Sequence, residues 1–381
     1  MICPYLWTVS SSAHRILSII PYKVFPAIMG GQKGIALFYK YLSQQVDLRC
    51  LTTKKNEATD DVRIIPQLSN ASARYINPFV YGVVKKILKE EHCGYLLAEH
   101  PYYAWLIWLV RKTSSMQVIV HSHNIESERF RSIGKWWWRI LWYYERWAYR
   151  NAHTLWFKTP EDTNYAIQQY GVSAERCHVI PYGVETTQLP NDSEIQQARA
   201  HLCHWHSIPE QHCIILFNGT LSYGPNLNAL NDILHHILPA LAKQAMAFTM
   251  LICGKGLPDE MHELKKYDKL NVVYAGFVED IDVYFKGCDV FLNPLTDGGG
   301  IKTKLVEALG FGKKCVSSVN GAIGVDVSYT SGRLRIVQDA DWKGYAETIM
   351  NLHNEEIKLD NEAFYQQFSW MHIARHAVNT L

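Results

Sequence analysis

The chain has 381 residues, 48% of them hydrophobic, with 38 Lys and Arg against 36 Asp and Glu. That length exceeds one ordinary core and predicts two domains of under roughly 200 residues each. Near-balanced charge supplies no global field for nucleic acid, so no nucleic-acid partner is expected. Nine cysteines, none in a CxxC pair, read as reduced thiols in a cytoplasmic protein rather than as a disulfide framework.

In chain order, the opening MICPYLWTVSSSAHR is mildly apolar but has no basic segment ahead of its apolar part. A secretory signal is therefore not expected; a disordered or mis-started N-terminus is. RILSII predicts the first strand, Gly30 and Gly31 the turn after it, and a helix follows near 33–45 that carries Lys33. GYLLAEH and then YYAWLIWLVRK repeat the alternation of strand and helix. YYAWLIWLV, at 102–110, is the longest apolar run and is followed by Arg111 and Lys112, too short to span a bilayer. QVIVHSH predicts another strand, ending close to His123 and Asn124, ahead of one long helix from about 127 to 150.

After the polar, Pro-containing TTQLPNDSE at 186–194 the rhythm restarts. CIILFNG, FTMLICG, NVVYAG, DVFLNPL and KCVSS are each followed by a helix or loop. The expectation is an α/β protein of two doubly wound, Rossmann-like halves, 1–189 and 190–362, with 363–381 returning to the first. In such sheets ligands bind beyond the carboxyl ends of the strands, which directs attention to the loops there.

The segment GKWWWRILWYYERWAYR, 134–150, places Lys135, Arg139, Arg146 and Arg150 on one helical face with Trp142 among them. Trp137, Ile140, Leu141 and Tyr144 fall opposite, as the side that packs on the sheet. Two readings stand: a membrane-surface helix meeting anionic headgroups, at the inner face of the membrane, or a half-buried helix with a solvated basic face. His201, Cys203, His204, His206, His212 and Cys213 are zinc-compatible side chains without a recognised zinc spacing. Asp280-Ile281-Asp282 opens a helix, where capping suits it better than metal binding. No metal is expected.

TDGGGIKTKLVEALGFG, 296–312, lies between the strand DVFLNPL and a helix starting near Thr303. Gly298, Gly299 and Gly300 permit close backbone approach, and the helix start behind them favours an anion. Lys302 and Lys304 add positive charge, and Glu307, one turn deeper, can accept two hydrogen bonds from a cis-diol. Together they describe a nucleotide diphosphate lying along the helix start; a glycine-rich turn with solvated lysines remains the alternative. Ile301 separates Gly300 from Lys302, so the stretch is not a P-loop.

FNGTLSYGPNLNAL (217–230) and GFVEDIDVYFKGCDVFLNPLTDGGGIKTKLVEALGFGKKCVSS (276–318), with GGQKG, HSHNIESERF and VIPYGVE in the first half, resemble glycosyltransferase family 4, in a subgroup with a GGGIK-type donor loop. The likeness covers roughly residues 15–375 and is specific as an ordered set of motifs. It implies a GT-B fold and transfer, with retention, of a sugar from a nucleotide diphosphate donor of UDP or GDP type, in a cleft between the halves, to a glycan or lipid-linked glycan. Cell-surface polysaccharide biosynthesis is the implied setting, without a further cofactor. Glu307 matches the family's ribose-binding glutamate and His123 its HN-type histidine, placed here as catalytic, with Asn124, Gly30 and Gly31 on the acceptor side and His121 a weaker candidate.

Two departures matter. The family's other glutamate, eight residues before Glu307, is replaced by Gly299; Asp297 or the glycine backbone would then meet the sugar. The loop after CIILFNG lacks the usual arginine and lysine, which assigns the diphosphate to Lys302 and Lys304, assisted by backbone near Gly219 and Thr220. A nucleotide-sugar epimerase of the same fold and a catalytically silent nucleotide-binding subunit are the other readings.

Overall fold

The computed structural model describes residues 14–27, 30–358 and 360–381. The opening segment that bears on a leader, and Cys3 within it, lie outside the described residues. The chain divides into two compact units, one ending at Gly183 and completed by Trp370–Leu381, the other running Val184–Ser369.

The first unit has a seven-stranded sheet in the order β3-β2-β1-β4-β5-β6-β7. Its strands are β1 (Arg15–Ile20), β2 (Asp47–Thr53), β3 (Arg63–Leu68), β4 (Tyr95–Glu99), β5 (Gln117–Ser122), β6 (Thr154–Phe157) and β7 (Cys177–Val179). Every pairing is parallel. Its helices are α1 (Gly30–Leu42), α2 (Phe79–Glu90), α3 (Ala104–Thr113), α4 (Glu126–Ser132), α5 (Trp138–Asn151) and α6 (Pro160–Tyr165). Parallel strands covered by helices on both faces need near-continuous apolar sequence, and five of the six residues of RILSII are buried. Gly30 and Gly31 are the first residues of α1 and not a turn preceding it.

The second unit has six parallel strands ordered β10-β9-β8-β11-β12-β13. It begins with helix α7 (Asp192–His206), closed by an Asn191–Glu194 capping box, in which both side chains satisfy end N-H groups. Then follow β8 (Cys213–Asn218), α8 (Gly224–Asp232), α9 (Leu238–Leu241), β9 (Phe248–Cys253), β10 (Val272–Gly276), α10 (Ile281–Gly287), β11 (Val290–Asn293), α11 (Thr303–Gly310), β12 (Lys314–Ser318), β13 (Leu334–Val337), α12 (Trp342–Asn354) and α13 (Glu362–Phe368). Asp280 accepts from the Asp282 N-H and so caps α10.

Helix α14 (Trp370–Val378) closes the chain, with Trp370, Ile373, Ala374 and Ala377 buried at a helical repeat. It packs on α1, and Trp156 Nε1 donates to Thr380 Oγ1 at 2.9 Å. The turn into the first unit comes at Trp370 and not at 363. Residues 361–368 belong to the second unit because Asn361 Nδ2 and Tyr365 Oη donate to the Gly310 carbonyl at 3.2 and 2.7 Å.

The single helix expected over 127–150 is two helices. Between α4 and α5 the chain turns at Gly134, whose φ of 71° is left-handed backbone that interrupts an α-helix. Lys135 falls in that turn, outside the helical face assigned to it. Arg146 and Arg150 donate from Nε to the Tyr170 carbonyl at 3.3 and 2.8 Å. Trp142 donates to Tyr165 Oη at 3.2 Å and is partly buried against the core. Ile140, expected to face the sheet, is 65% exposed. The outward face of α5 therefore differs from the one the charge pattern suggested: Ile140, Tyr143 and Trp147, spaced three and four residues apart, are exposed, and Trp136 is exposed in the turn just before the helix.

Candidate functional site

Both sheets reverse their strand order once, between β1 and β4 in the first unit and between β8 and β11 in the second. At such a switch point adjacent strands feed helices on opposite faces, leaving a crevice at their carboxyl ends. The chemistry-bearing residues gather at these two places.

In the second unit the switch point is bounded by Gly219, directly after β8, and by the loop 294–302 that joins β11 to α11. Gly298 and Gly300 take φ of 84° and 71°, a backbone that larger residues adopt only with strain. The loop is tied down from several sides. Lys302 Nζ donates to the carbonyls of Gly298 and Gly300 at 2.8 and 3.0 Å, and Asn320 Nδ2 donates to the Asp297 carbonyl at 2.9 Å. Asn228 Nδ2 donates to Asp297 Oδ2 at 3.0 Å. Asn228 and Asn320 are not conspicuous in the sequence, because each is a single amide far along the chain from the loop it holds.

Lys302 and Lys304 point to different tasks. Lys302 braces the glycine loop, whereas Lys304 extends across to β8, where a Cβ on Gly219 would sit 2.6 Å from its Nζ. Asn226 Oδ1 is 3.4 Å from that ammonium, and Asn226 Nδ2 is turned to the Thr220 carbonyl at 2.9 Å. Burial lowers the Lys304 pKa to about 8, with Glu307 opposing the shift. Gly254 is also required here, since its φ is 144° and a Cβ would run into the Gly219 carbonyl. Gly219, Thr220, Lys304, Glu307 and the glycine loop are thus brought to one crevice, with Gly299 exposed at its rim. The arrangement can accept an anion: backbone N-H groups at a helix start, a partly desolvated ammonium, and a carboxylate one turn further in.

In the first unit, the carboxyl ends of β4 and β5 assemble a cluster the sequence did not reveal. Glu99, 1% exposed, accepts from His121 Nδ1 at 2.9 Å on one oxygen and from His123 Nε2 at 2.7 Å on the other. Tyr39 Oη, from α1, donates to the first oxygen at 2.7 Å. His100 stacks on His123 with ring centroids 4.5 Å apart. Burial pushes Glu99 upward, and the neighbouring imidazoles outweigh it, holding the carboxyl well below its ordinary range. Burial also pushes His121 and His123 down to about 4, against the opposing pull of Glu99. The ionised carboxylate with two neutral imidazole donors satisfies both directions.

Lys158, buried beside them, has its pKa lowered to about 7 by burial, with Glu99 opposing; its Nζ lies 5.2 Å from the Phe38 ring centre. Asn124 joins through its backbone, the carbonyl accepting from Ser122 Oγ at 2.8 Å. Gly31 is open, with nothing within 4 Å of a would-be Cβ.

Ligand atoms of Glu99, His121 and His123, and separately of Cys213, Asp289 and His353, lie within 4.8 Å of one another. Hydrogen bonding accounts for the first group. In the second, Asp289 Oδ2 is engaged by Arg199 Nη1 and the Ile214 N-H, each at 2.7 Å. Two histidines of α7 serve locally: His201 stacks on Trp205 at 5.1 Å, and His206 pairs with Tyr284 Oη at 3.0 Å.

Residues 29–188 match the family model described as Glycosyltransferase Family 4, and residues 212–355 match the one described as Glycosyl transferases group 1. A protein of Klebsiella pneumoniae, described as an uncharacterized 44.6 kDa protein in the cps region, is 22% identical over 305 residues, spanning 76% of this chain and 72% of that protein. HepE of Anabaena, solved in complex with UDP, superposes with a TM-score of 0.72 at 18% identity, over 96% of this chain and 99% of that one. WaaG, a glycosyltransferase involved in lipopolysaccharide biosynthesis, gives 0.60 at 15% identity, over 96% and 95%. These likenesses establish two Rossmann-like units of the GT-B class.

Proposed function

Because this chain belongs to the family 4 glycosyltransferases, we propose that it transfers a sugar from a UDP-sugar to a glycan or lipid-linked glycan, with retention of configuration. The observation that carries this reading is the crevice of the second unit, where Lys304 reaches Gly219 beside a braced glycine loop. The diphosphate lies against the start of α11 and Lys304, and Glu307 accepts from the ribose hydroxyls. Lys302 acts by holding the loop in shape. As the glycosidic bond breaks, negative charge grows on the diphosphate, and a fixed ammonium in a partly desolvated place stabilises it more than water does. That diphosphate oxygen takes the acceptor's proton on the same face, and no protein nucleophile and no metal is required.

UDP is favoured over GDP because HepE was solved with UDP. The sugar meets the backbone at Gly299, since Asp297 is held by Asn228. A hexose is the expected unit, and His123 with Asn124, Gly30 and Gly31 belongs to the acceptor side. The cps-region relative and the lipopolysaccharide enzyme support a role in cell-surface polysaccharide synthesis. No helix among the described residues is long and apolar enough to cross a membrane. Contact with the inner membrane face is assigned to the exposed stripe Trp136, Ile140, Tyr143 and Trp147, with Arg139 beside it. Aromatic rings of this kind settle at the headgroup level. The family match leaves the epimerase and silent-subunit readings without support of their own.

The test is release of UDP from a panel of UDP-sugars with lipid-linked acceptors, with and without a chelator. Chelator-insensitive release that depends on acceptor, and falls at least about 100-fold in Lys304→Met, is expected. Equal release by Lys304→Met and the natural chain would remove the assigned role.

A further inference from the structure

The first unit holds a buried carboxylate whose purpose its own packing does not explain. Glu99 lies at the switch point, at the carboxyl end of β4, and is 1% exposed. Placing an ionised group there is costly unless donors surround it. Three side chains do so: Tyr39 Oη at 2.7 Å, His121 Nδ1 at 2.9 Å and His123 Nε2 at 2.7 Å. Tyr39 Oη in turn shares a hydrogen bond with Ser18 Oγ. An apolar residue would fill the same space at lower cost, so a structural role alone accounts poorly for so many converging polar groups.

The geometry fixes what each imidazole presents. An ionised carboxylate only accepts, so the nitrogens facing it carry hydrogen. His121 therefore holds its proton on Nδ1, leaving Nε2 a buried lone pair without a partner. His123 holds its proton on Nε2. Its side chain keeps 13% of its surface exposed, and the nitrogen left for a ligand is Nδ1. Around the pair, His100 stacks on His123, Lys158 is near enough to act electrostatically on both rings, Tyr39 donates to the same carboxylate, and Glu126 lies 3.5 Å from His100 Nδ1.

We propose that Glu99 is a positioning residue that locks His123 as the Nε2-H tautomer, so that its Nδ1 lone pair accepts a hydrogen bond from a hydroxyl of the sugar substrate. The role in transfer rests on the function proposed above; the tautomer does not. A neutral acceptor at this place matches a hydroxyl and disfavours a carboxylate or phosphate, which would set its own lone pairs against the Nδ1 lone pair. The substrate group received there is thus an uncharged sugar hydroxyl. Carboxylate partners of this kind commonly fix a histidine tautomer in sites where the other nitrogen does the work.

The test has two arms on the full chain. In protein labelled with nitrogen-15 at histidine, long-range proton-nitrogen spectra at pH 7.5 should show His123 neutral with hydrogen on Nε2 and His121 neutral with hydrogen on Nδ1. Either ring in the other tautomer, or His123 charged, overturns the proposal whatever the enzyme transfers. In the second arm, Glu99→Gln should mix the His123 tautomers and lower kcat about 10- to 100-fold. Donor KM and thermal stabilisation by UDP, which report on the second unit, should stay within about twofold. An unchanged kcat in folded Glu99→Gln would also overturn it. If the natural chain transfers no sugar but shows the expected tautomers, the functional reading fails and the assignment of Glu99 stands.

Discussion

Lys304 holds a positive charge where water is scarce, and this makes its ligand binding depend on pH. Burial has brought its pKa to about 8, so near pH 7 the folded, unliganded protein carries the ammonium, and above pH 8 it loses it. A diphosphate beside Nζ favours the charged form and raises that pKa, so above pH 8 binding must be accompanied by proton uptake. Affinity for UDP is therefore expected to fall as pH rises from 7 to 9.5, approaching tenfold per unit above the unliganded pKa. Lys304→Met should bind more weakly at pH 7 and show a flatter profile. Calorimetric titration at several pH values reads both, and a steep decline that persists in Lys304→Met would assign the proton elsewhere. The sequence exposed this residue because lysine, glycines and Glu307 are contiguous. It hid Glu99, since Glu99 and His121 are 22 positions apart and meet only because β4 and β5 pair side by side.

At the scale of elements, the tryptophan-rich segment shows how periodicity misleads. Apolar residues recur at helical spacing on both sides of Gly134, so one long helix and a basic face fit the sequence well. The left-handed turn at Gly134 breaks that continuity. Arg146 and Arg150 then serve the end of a neighbouring segment through the Tyr170 carbonyl, and Gly171 leaves room for the Arg150 guanidinium, 2.8 Å from a would-be Cβ. The two faces can be separated experimentally. Trp136→Ser with Tyr143→Ser should abolish flotation with vesicles of mixed neutral and anionic lipid while changing stability by no more than about 0.5 kcal/mol. Arg150→Ala should cost about 1 kcal/mol through its lost hydrogen bond and leave flotation intact. Vesicle binding that survives loss of the aromatic pair and disappears with Arg150→Ala would reverse the assignment.

For the whole molecule, two parallel sheets with one reversal each follow from buried, β-branched strand runs alternating with amphipathic helices, and most of that alternation was legible in the sequence. RILSII, GYLLAEH, QVIVHSH, CIILFNG, FTMLICG, NVVYAG, DVFLNPL and KCVSS all form strands. Five strands, β2, β3, β6, β7 and β13, were not legible: DLRCLTT is interrupted by Arg49, RIIPQL carries a proline, TLWF and LRIV have only four residues each, and CHV has only three, every one partly exposed. Strand order could not be read either, since it depends on which helices share a face. That order sets the crevice in each unit where Lys304 and Glu307, or Glu99 and His123, lie.

On the proposed reading the second unit binds a nucleoside diphosphate through Lys304 and Glu307. The most direct measurement is the thermal stability of the natural chain, Lys304→Met and Glu307→Ala with UDP, GDP, CDP, ADP and TDP at equal excess. A ligand at about 100 times its dissociation constant stabilises the folded state by roughly 2.7 kcal/mol. UDP should raise the melting temperature of the natural chain, and both variants, folded without ligand, should lose most of that rise. No shift with any of the five nucleotides, in folded protein, would contradict that reading.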